Sequence, residues 1–197
     1  MRISLNALEH IPFKALDAVA EWQNYGAGVK SVSSALAKAL PNFPTATKTY
    51  AGDLYRVIGL NKKAVKAMLL NKEIPARPLE GWTKTKANAE EYLGSLGQLV
   101  QDDAIIVAMF KFKAKGSDVV LDLEKFHNNK LVKSSEEYWS EKGKYLSEGW
   151  EFGDSQKEVV VARPTLKFQE ILELIDTKRV RHKNGFEDIL KSALESN

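Results

Sequence analysis

The hydrophobic period changes along this chain, from helical spacing in the first third to strand-like runs beyond residue 103, and that change points to the α+β class. Val29, Val32, Leu36 and Leu40 recur at helical spacing with Ala35 and Ala39 on the same side, and Pro41 and Pro44 end that helix. A weaker stripe precedes it at Leu16, Val19 and Ala20. Ala64, Val65, Met68 and Leu69 mark a short amphipathic helix, broken off by Pro75 and Pro78. Ala89, Tyr92, Leu93 and Leu96 give an apolar face to another that begins shortly after Thr85. From Ala104 onward β-branched and aromatic residues gather: Ala104 to Phe112 and Val119 to Leu123 read as strands around the turn signal Lys115-Gly116-Ser117-Asp118. Lys167 to Ile175 fits either period and is read as a strand from its place after Arg163-Pro164. Glu136 to Leu146 reads as helical, and Glu151-Phe152-Gly153-Asp154-Ser155 as a loop. Gly185 to Ser196 reads as a closing helix with Phe186, Ile189, Leu190 and Leu194 on one side.

At 197 residues and 44% hydrophobic, the chain can bury one substantial core. The expectation is a single domain over 1–197, with a helical N-terminal segment at 1–45 and a mixed core at 51–175. No apolar run approaches the roughly 20 residues of a membrane helix, and the opening Met1-Arg2-Ile3-Ser4-Leu5-Asn6 lacks the apolar segment of a secretory signal, so a cytoplasmic protein without membrane contact is expected. The absence of cysteine excludes disulfides, thiolate nucleophiles and zinc-thiolate sites. A net charge of +3, from 29 basic and 26 acidic residues, is too balanced to indicate nucleic-acid binding by itself. His10, His127 and His182 lie far apart without metal-ligand spacing, so no metal is expected. Neither a P-loop nor a Gly-x-Gly-x-x-Gly fingerprint is present. The basic run Lys178 to Lys183 reads as a solvated turn before the last helix.

Three short elements carry chemistry. In Asp53-Leu54-Tyr55-Arg56-Val57-Ile58-Gly59, strand alternation projects Arg56 with Leu54 and Ile58, which sets a cation among apolar neighbours. Trp82-Thr83-Lys84-Thr85 offers two hydroxyls just before a helix. In Gln156-Lys157-Glu158, followed by Val159-Val160-Val161, an amide and a carboxylate share one side of a strand. An unpaired buried charge costs several kcal/mol or neutralises, so each charge needs a partner or an open cleft. A structural Arg56–Glu158 pair and a ligand site both satisfy that requirement.

In this order, the three elements resemble the arginine/Ser-Thr-Ser/glutamate class of mono-ADP-ribosyltransferases, in the compact form found in bacterial toxins and bacteriophages. The resemblance spans roughly Ala51 to Ile175. Tyr55-Arg56 matches the aromatic-arginine strand, and Trp82-Thr83-Lys84-Thr85 with Ala89 matches the hydroxyl element and its helix. Gln156-Lys157-Glu158 matches the Gln-x-Glu pair ahead of an apolar strand. Ile105 to Leu123, two strands with an aspartate near the end, also looks like the family's pattern. Lys84 in the middle of the hydroxyl element and Val57 after the arginine depart from it.

The resemblance implies an ADP-ribosyltransferase-like pair of packed β-sheets with an N-terminal helical segment, and NAD as co-substrate. Breaking the nicotinamide–ribose bond leaves positive charge on the sugar, as in glycoside hydrolysis. By this resemblance Glu158 stabilises that charge through the ribose 2′-hydroxyl, and Thr83 holds the Glu158 side chain. Arg56, preceded by Tyr55, binds the pyrophosphate, and Thr85 lines the nicotinamide ribose pocket. Gln156 selects the acceptor, and glutamine there favours a protein amide or a nucleic-acid base over arginine. Trp150 and Phe152 would face that acceptor, with burial in the core the alternative for Trp150. The function implied is transfer of ADP-ribose to a protein or nucleic acid, as a bacterial or bacteriophage effector acting in the cytoplasm of its own or a host cell. A non-catalytic binding or interaction protein on the same fold is the alternative.

Overall fold

A computed structural model of the chain describes residues 11–94, 103–126 and 157–196. These form five α-helices and a mostly antiparallel sheet of seven strands, with a two-stranded sheet beside them in the topology, an α+β arrangement. Chain contacts divide it into two compact units, each assembled from three stretches of sequence. Among the described residues no helix is long and apolar enough to cross a membrane.

The first unit spans Met1–Gly52, Arg77–Lys84 and Ala114–Arg163. Its helices are α1 (Phe13–Tyr25) and α2 (Lys30–Ala39), which pack on each other. The stripe read at Leu16, Val19 and Ala20 is buried, and it continues one turn further to Trp22. Gly26 ends α1 with φ 65°, a left-handed value that glycine adopts without steric cost, and its N–H returns to the Trp22 carbonyl at 2.7 Å. α2 buries Val32, Leu36 and Ala39 and gives way to a 3₁₀ turn at Leu40–Asn42, where Pro41 enters. Both helices bury this face against Leu79, Leu121, Leu123 and Val160. A fully buried leucine such as Leu36 contributes about 2 kcal/mol.

The strands of this unit are β3 (Glu80–Thr83), β5 (Val119–Asp122) and β6 (Glu158–Val161). β6 lies between the other two, antiparallel to both. Trp82 stands opposite Val159 and Thr83 opposite Glu158; on the other edge Asp122 also faces Val159.

The second unit spans Asp53–Ala76, Thr85–Lys113 and Pro164–Asn197. Here β1 (Gly52–Asn61), β4 (Ala104–Ala114), β8 (Ile171–Ile175) and β9 (Arg181–His182) follow one another in the sheet, while β2 (Glu73–Pro75) and β7 (Thr165–Lys167) form the two-stranded pair. The chain leaves β1 directly into α3 (Lys62–Asn71), because the Asn61 side chain caps the helix by accepting the Ala64 N–H at 2.9 Å. α4 (Lys86–Gly94) and α5 (Phe186–Glu195) complete the unit. Ala89, Val107, Met109 and Ile175 form a core on which Tyr55, Val57 and Leu172 pack.

Three expectations change. Lys167 to Ile175 is two strands in two sheets: a 3₁₀ turn at Phe168–Glu170 separates them, closed by the Glu170 carboxylate accepting the Lys167 N–H at 3.0 Å. Tyr92, read as part of an apolar face, is exposed, whereas Ala89 on the same helix is buried. Val29 precedes α2 and is exposed too. The basic run forms the β8–β9 turn and the start of β9, and its Arg181 guanidinium pairs with the buried Glu173 carboxylate. The readings of Glu136 to Leu146 as helix and of Glu151 to Ser155 as loop lie outside the described residues.

Candidate functional site

Of the residues singled out in the sequence, Thr83 and Glu158 are brought together as cross-strand partners in the first unit. Directly opposed residues of an antiparallel pair project from the same face, so the hydroxyl and the carboxylate share a side. Thr83 is buried and Glu158 half-buried. Ahead of Glu158, Lys157 holds a left-handed φ of 48°, uncommon for a side chain of that kind, and its carbonyl accepts the Lys84 N–H at 3.2 Å. The ladder between β3 and β6 therefore continues one residue past the Thr83–Glu158 pair.

Two residues outside the sequence motifs shape the position of Glu158. The Trp22 indole N–H donates to Glu158 Oε1 at 2.8 Å, from a ring that is 1% exposed. Gly81 lies on the same face of β3 as Thr83, diagonally across from the carboxylate. A Cβ there would fall 2.1 Å from Glu158 Oε1, so only glycine lets the carboxylate lie over this strand. The glutamate is thus defined by a donor on a helix and by a missing methyl group on its neighbour strand. Sequence offered a signal for both: Trp22 stands three residues beyond Val19 on the buried stripe, where a buried indole N–H needs an acceptor, and a glycine inside a strand marks close approach.

Lys84, in the middle of the Trp82-Thr83-Lys84-Thr85 element, has its own structural role. Its Nζ lies 2.6 Å from Asp122 Oδ1 and 2.6 Å from Glu124 Oε2, and sits 5.0 Å from the centre of the Tyr50 ring. Asp122 is fully buried at the end of β5. A second cation, Lys125, stands 3.6 Å from Asp122 Oδ2 and also reaches the Ala46 carbonyl, the Thr49 carbonyl and the Thr49 hydroxyl. Alternation along the strand sends Lys84 away from the face that Thr83 shares with Glu158. Its side chain ties β3 to β5 and to the turn that follows.

In the second unit, Arg56 occupies the middle of β1, half-buried, on the face of Leu54, Ile58 and Leu60. Leu54 and Leu60 are fully buried, so the expected apolar setting of the cation holds. Tyr55 projects to the other face and packs on the Ala89, Val107 and Met109 core, with Lys111 Nζ 5.8 Å from its ring centre. Lys111 also meets Asp53 at 2.8 Å, and that carboxylate holds the ammonium above the usual lysine range. Thr85 stands just before α4, where its hydroxyl accepts the Asn88 N–H at 3.4 Å, a long capping bond at the helix start.

Gln156, Trp150 and Phe152 lie outside the described residues. Among the described residues no group of three or more His, Asp or Glu side chains is placed to hold a metal ion. No family model matches the chain, and no curated protein or solved structure matches it.

Proposed function

We propose that this chain is an NAD-dependent mono-ADP-ribosyltransferase, cleaving the nicotinamide–ribose bond and transferring ADP-ribose to a protein or nucleic-acid acceptor. The observation that supports it most is the Glu158 carboxylate, half-buried opposite Thr83, held through one oxygen by Trp22 and accommodated by Gly81. A carboxylate held rigidly in partly dry surroundings is what charge developing on a ribose requires, because a preoriented group stabilises the transition state without reorganising. The reading carries with it the finer fold assignment, an ADP-ribosyltransferase-like pair of packed β-sheets, and work in the cytoplasm.

The donor chemistry of the chain suits NAD. Arg56 supplies a guanidinium for the pyrophosphate, and Glu158 supplies the acceptor for the ribose 2′-hydroxyl. Thr83 keeps the Glu158 side chain in place, and Thr85 lines the ribose pocket. Tyr55 supports the Arg56 strand from the opposite face. Gln156 orients an acceptor amide or base edge, with Trp150 and Phe152 contributing to its recognition. An amide cannot act as a carboxylate base, so arginine is a poor acceptor in this reading.

Glu158→Gln tests it. The substitution keeps shape and removes charge, so NAD still binds while NAD hydrolysis and transfer fall by about 100-fold or more. Wild-type protein incubated with labelled NAD and a host lysate, before and after protease or nuclease, identifies the class of acceptor. Failure of the wild-type protein to consume NAD in the presence of lysate rejects the enzyme and leaves the non-catalytic binding protein.

A further inference from the structure

We propose that Trp22 is a positioning residue for Glu158, fixing the carboxylate for its work on the ribose; the proposal rests on the transferase reading. Three observations in the first unit converge on it. The indole N–H lies 2.8 Å from Oε1, a distance typical of a hydrogen bond to a charged acceptor. The indole is 1% exposed and embedded among the helices and strands of its core, so the donor cannot swing away without unpacking α1. Gly81 leaves the space into which the carboxylate is drawn, since a Cβ would meet the same Oε1 that the indole holds.

Glu158, at the start of β6, carries three side-chain torsions and so has several rotamers open to it in principle. The indole bond and the glycine gap select one of them. An ionised carboxylate offers roughly four acceptor positions, and the indole occupies one of these. Trp22 thus acts on the reaction through Glu158, by keeping the carboxylate where charge develops and sparing it reorganisation in the transition state. Because Trp22 is itself buried and acts through Glu158, its loss is felt in turnover rather than in NAD affinity.

The experiment compares Trp22→Phe, Gly81→Ala and the wild type in steady-state NAD hydrolysis, alongside the indole N–H resonance of Trp22 followed by NMR. Between the wild type and Glu158→Gln that resonance moves. Folded Trp22→Phe, checked by circular dichroism, loses about tenfold or more in kcat while the KM for NAD stays within about twofold, the signature of an interaction expressed in the transition state. Gly81→Ala gives the same split from the opposite side of the carboxylate and decides the matter if Trp22→Phe does not fold. Unchanged kcat in folded Trp22→Phe, or in Gly81→Ala where that variant decides, overturns the proposal. A Trp22 resonance indifferent to Glu158→Gln in an enzyme that turns over NAD overturns it alone. A responsive resonance in a wild-type protein that never consumes NAD overturns the transferase reading, and the role of Trp22 with it.

Discussion

Replacing Lys84 with methionine keeps the aliphatic stem and removes the charge that faces Asp122. Asp122 is fully buried, and Lys84 is its nearer cation at 2.6 Å, with Lys125 at 3.6 Å. At an effective dielectric near 20, the nearer contact corresponds to a gross Coulomb attraction of about 6 kcal/mol and the farther one to about 5 kcal/mol. Much of that offsets the desolvation of three charged groups, and removing one partner of a buried pair typically costs about 3–5 kcal/mol. Lys125 stays in place to compensate in part, which sets the expected loss at the lower end, about 3 kcal/mol. For a chain of this size such a loss lowers Tm by about 6–12 °C. Urea denaturation and thermal melts measure both quantities. The double variant Lys84→Met/Asp122→Leu removes the stranded carboxylate as well and is expected to recover most of the loss. A Lys84→Met protein within about 0.5 kcal/mol of wild type, the range of ordinary surface substitutions, would refute the buried tie, and so would a double variant no more stable than the single one.

Arg56→Ala is expected to weaken NAD binding by calorimetric titration more than it lowers stability; unchanged affinity in the folded variant removes Arg56 from the site. The β8–β9 turn carries a pH dependence of defined sign. Burial works to raise the Asp176 pKa, but the Val180 N–H, the His182 ring and the Lys178 N–H outweigh it and hold the carboxyl below its usual 3.8. A depressed folded-state pKa means that the turn's stabilisation is complete above the usual value and is lost as the pH falls through the lower one. Exchange of the Val180 and Lys178 amides should accelerate in that acid window, and Asp176→Asn should abolish the step; protection that ignores pH there contradicts the assignment.

Much of the architecture was legible because periodicity records which side of an element meets a core. Leu16, Val19, Val32, Leu36, Val65 and Met68 are buried as their spacing required. The Phe168 turn was not legible, since the apolar residues around it fit one continuous strand, and only the Glu170 side chain reaching back to Lys167 breaks it. The site divides in the same way. Motif order and alternation singled out Thr83 and Glu158, short polar interruptions of apolar strands that the structure sets opposite each other. They passed over Trp22 and Gly81, each of which looks like ordinary core or strand filler until its partner is known. The partner of Trp22 lies 136 residues away, beyond the reach of any local pattern.

The interleaving of the two units has a consequence during synthesis. The apolar face of α1 and α2 is finished by Leu121, Leu123 and Val160, long after the helices themselves have been made. At translation rates of about 5–20 residues per second, the interval between Phe43 and Val160 is roughly 6–25 s. For that time the N-terminal helices emerge with part of their core-facing stripe unmatched, a surface of the kind that chaperones hold and that aggregates form around. Neither unit can be released as a fragment by cutting one linker, because the chain crosses from one to the other five times. A dissection of this protein calls for splicing discontinuous stretches together, and truncation would yield pieces that lack the strands their helices were shaped to cover.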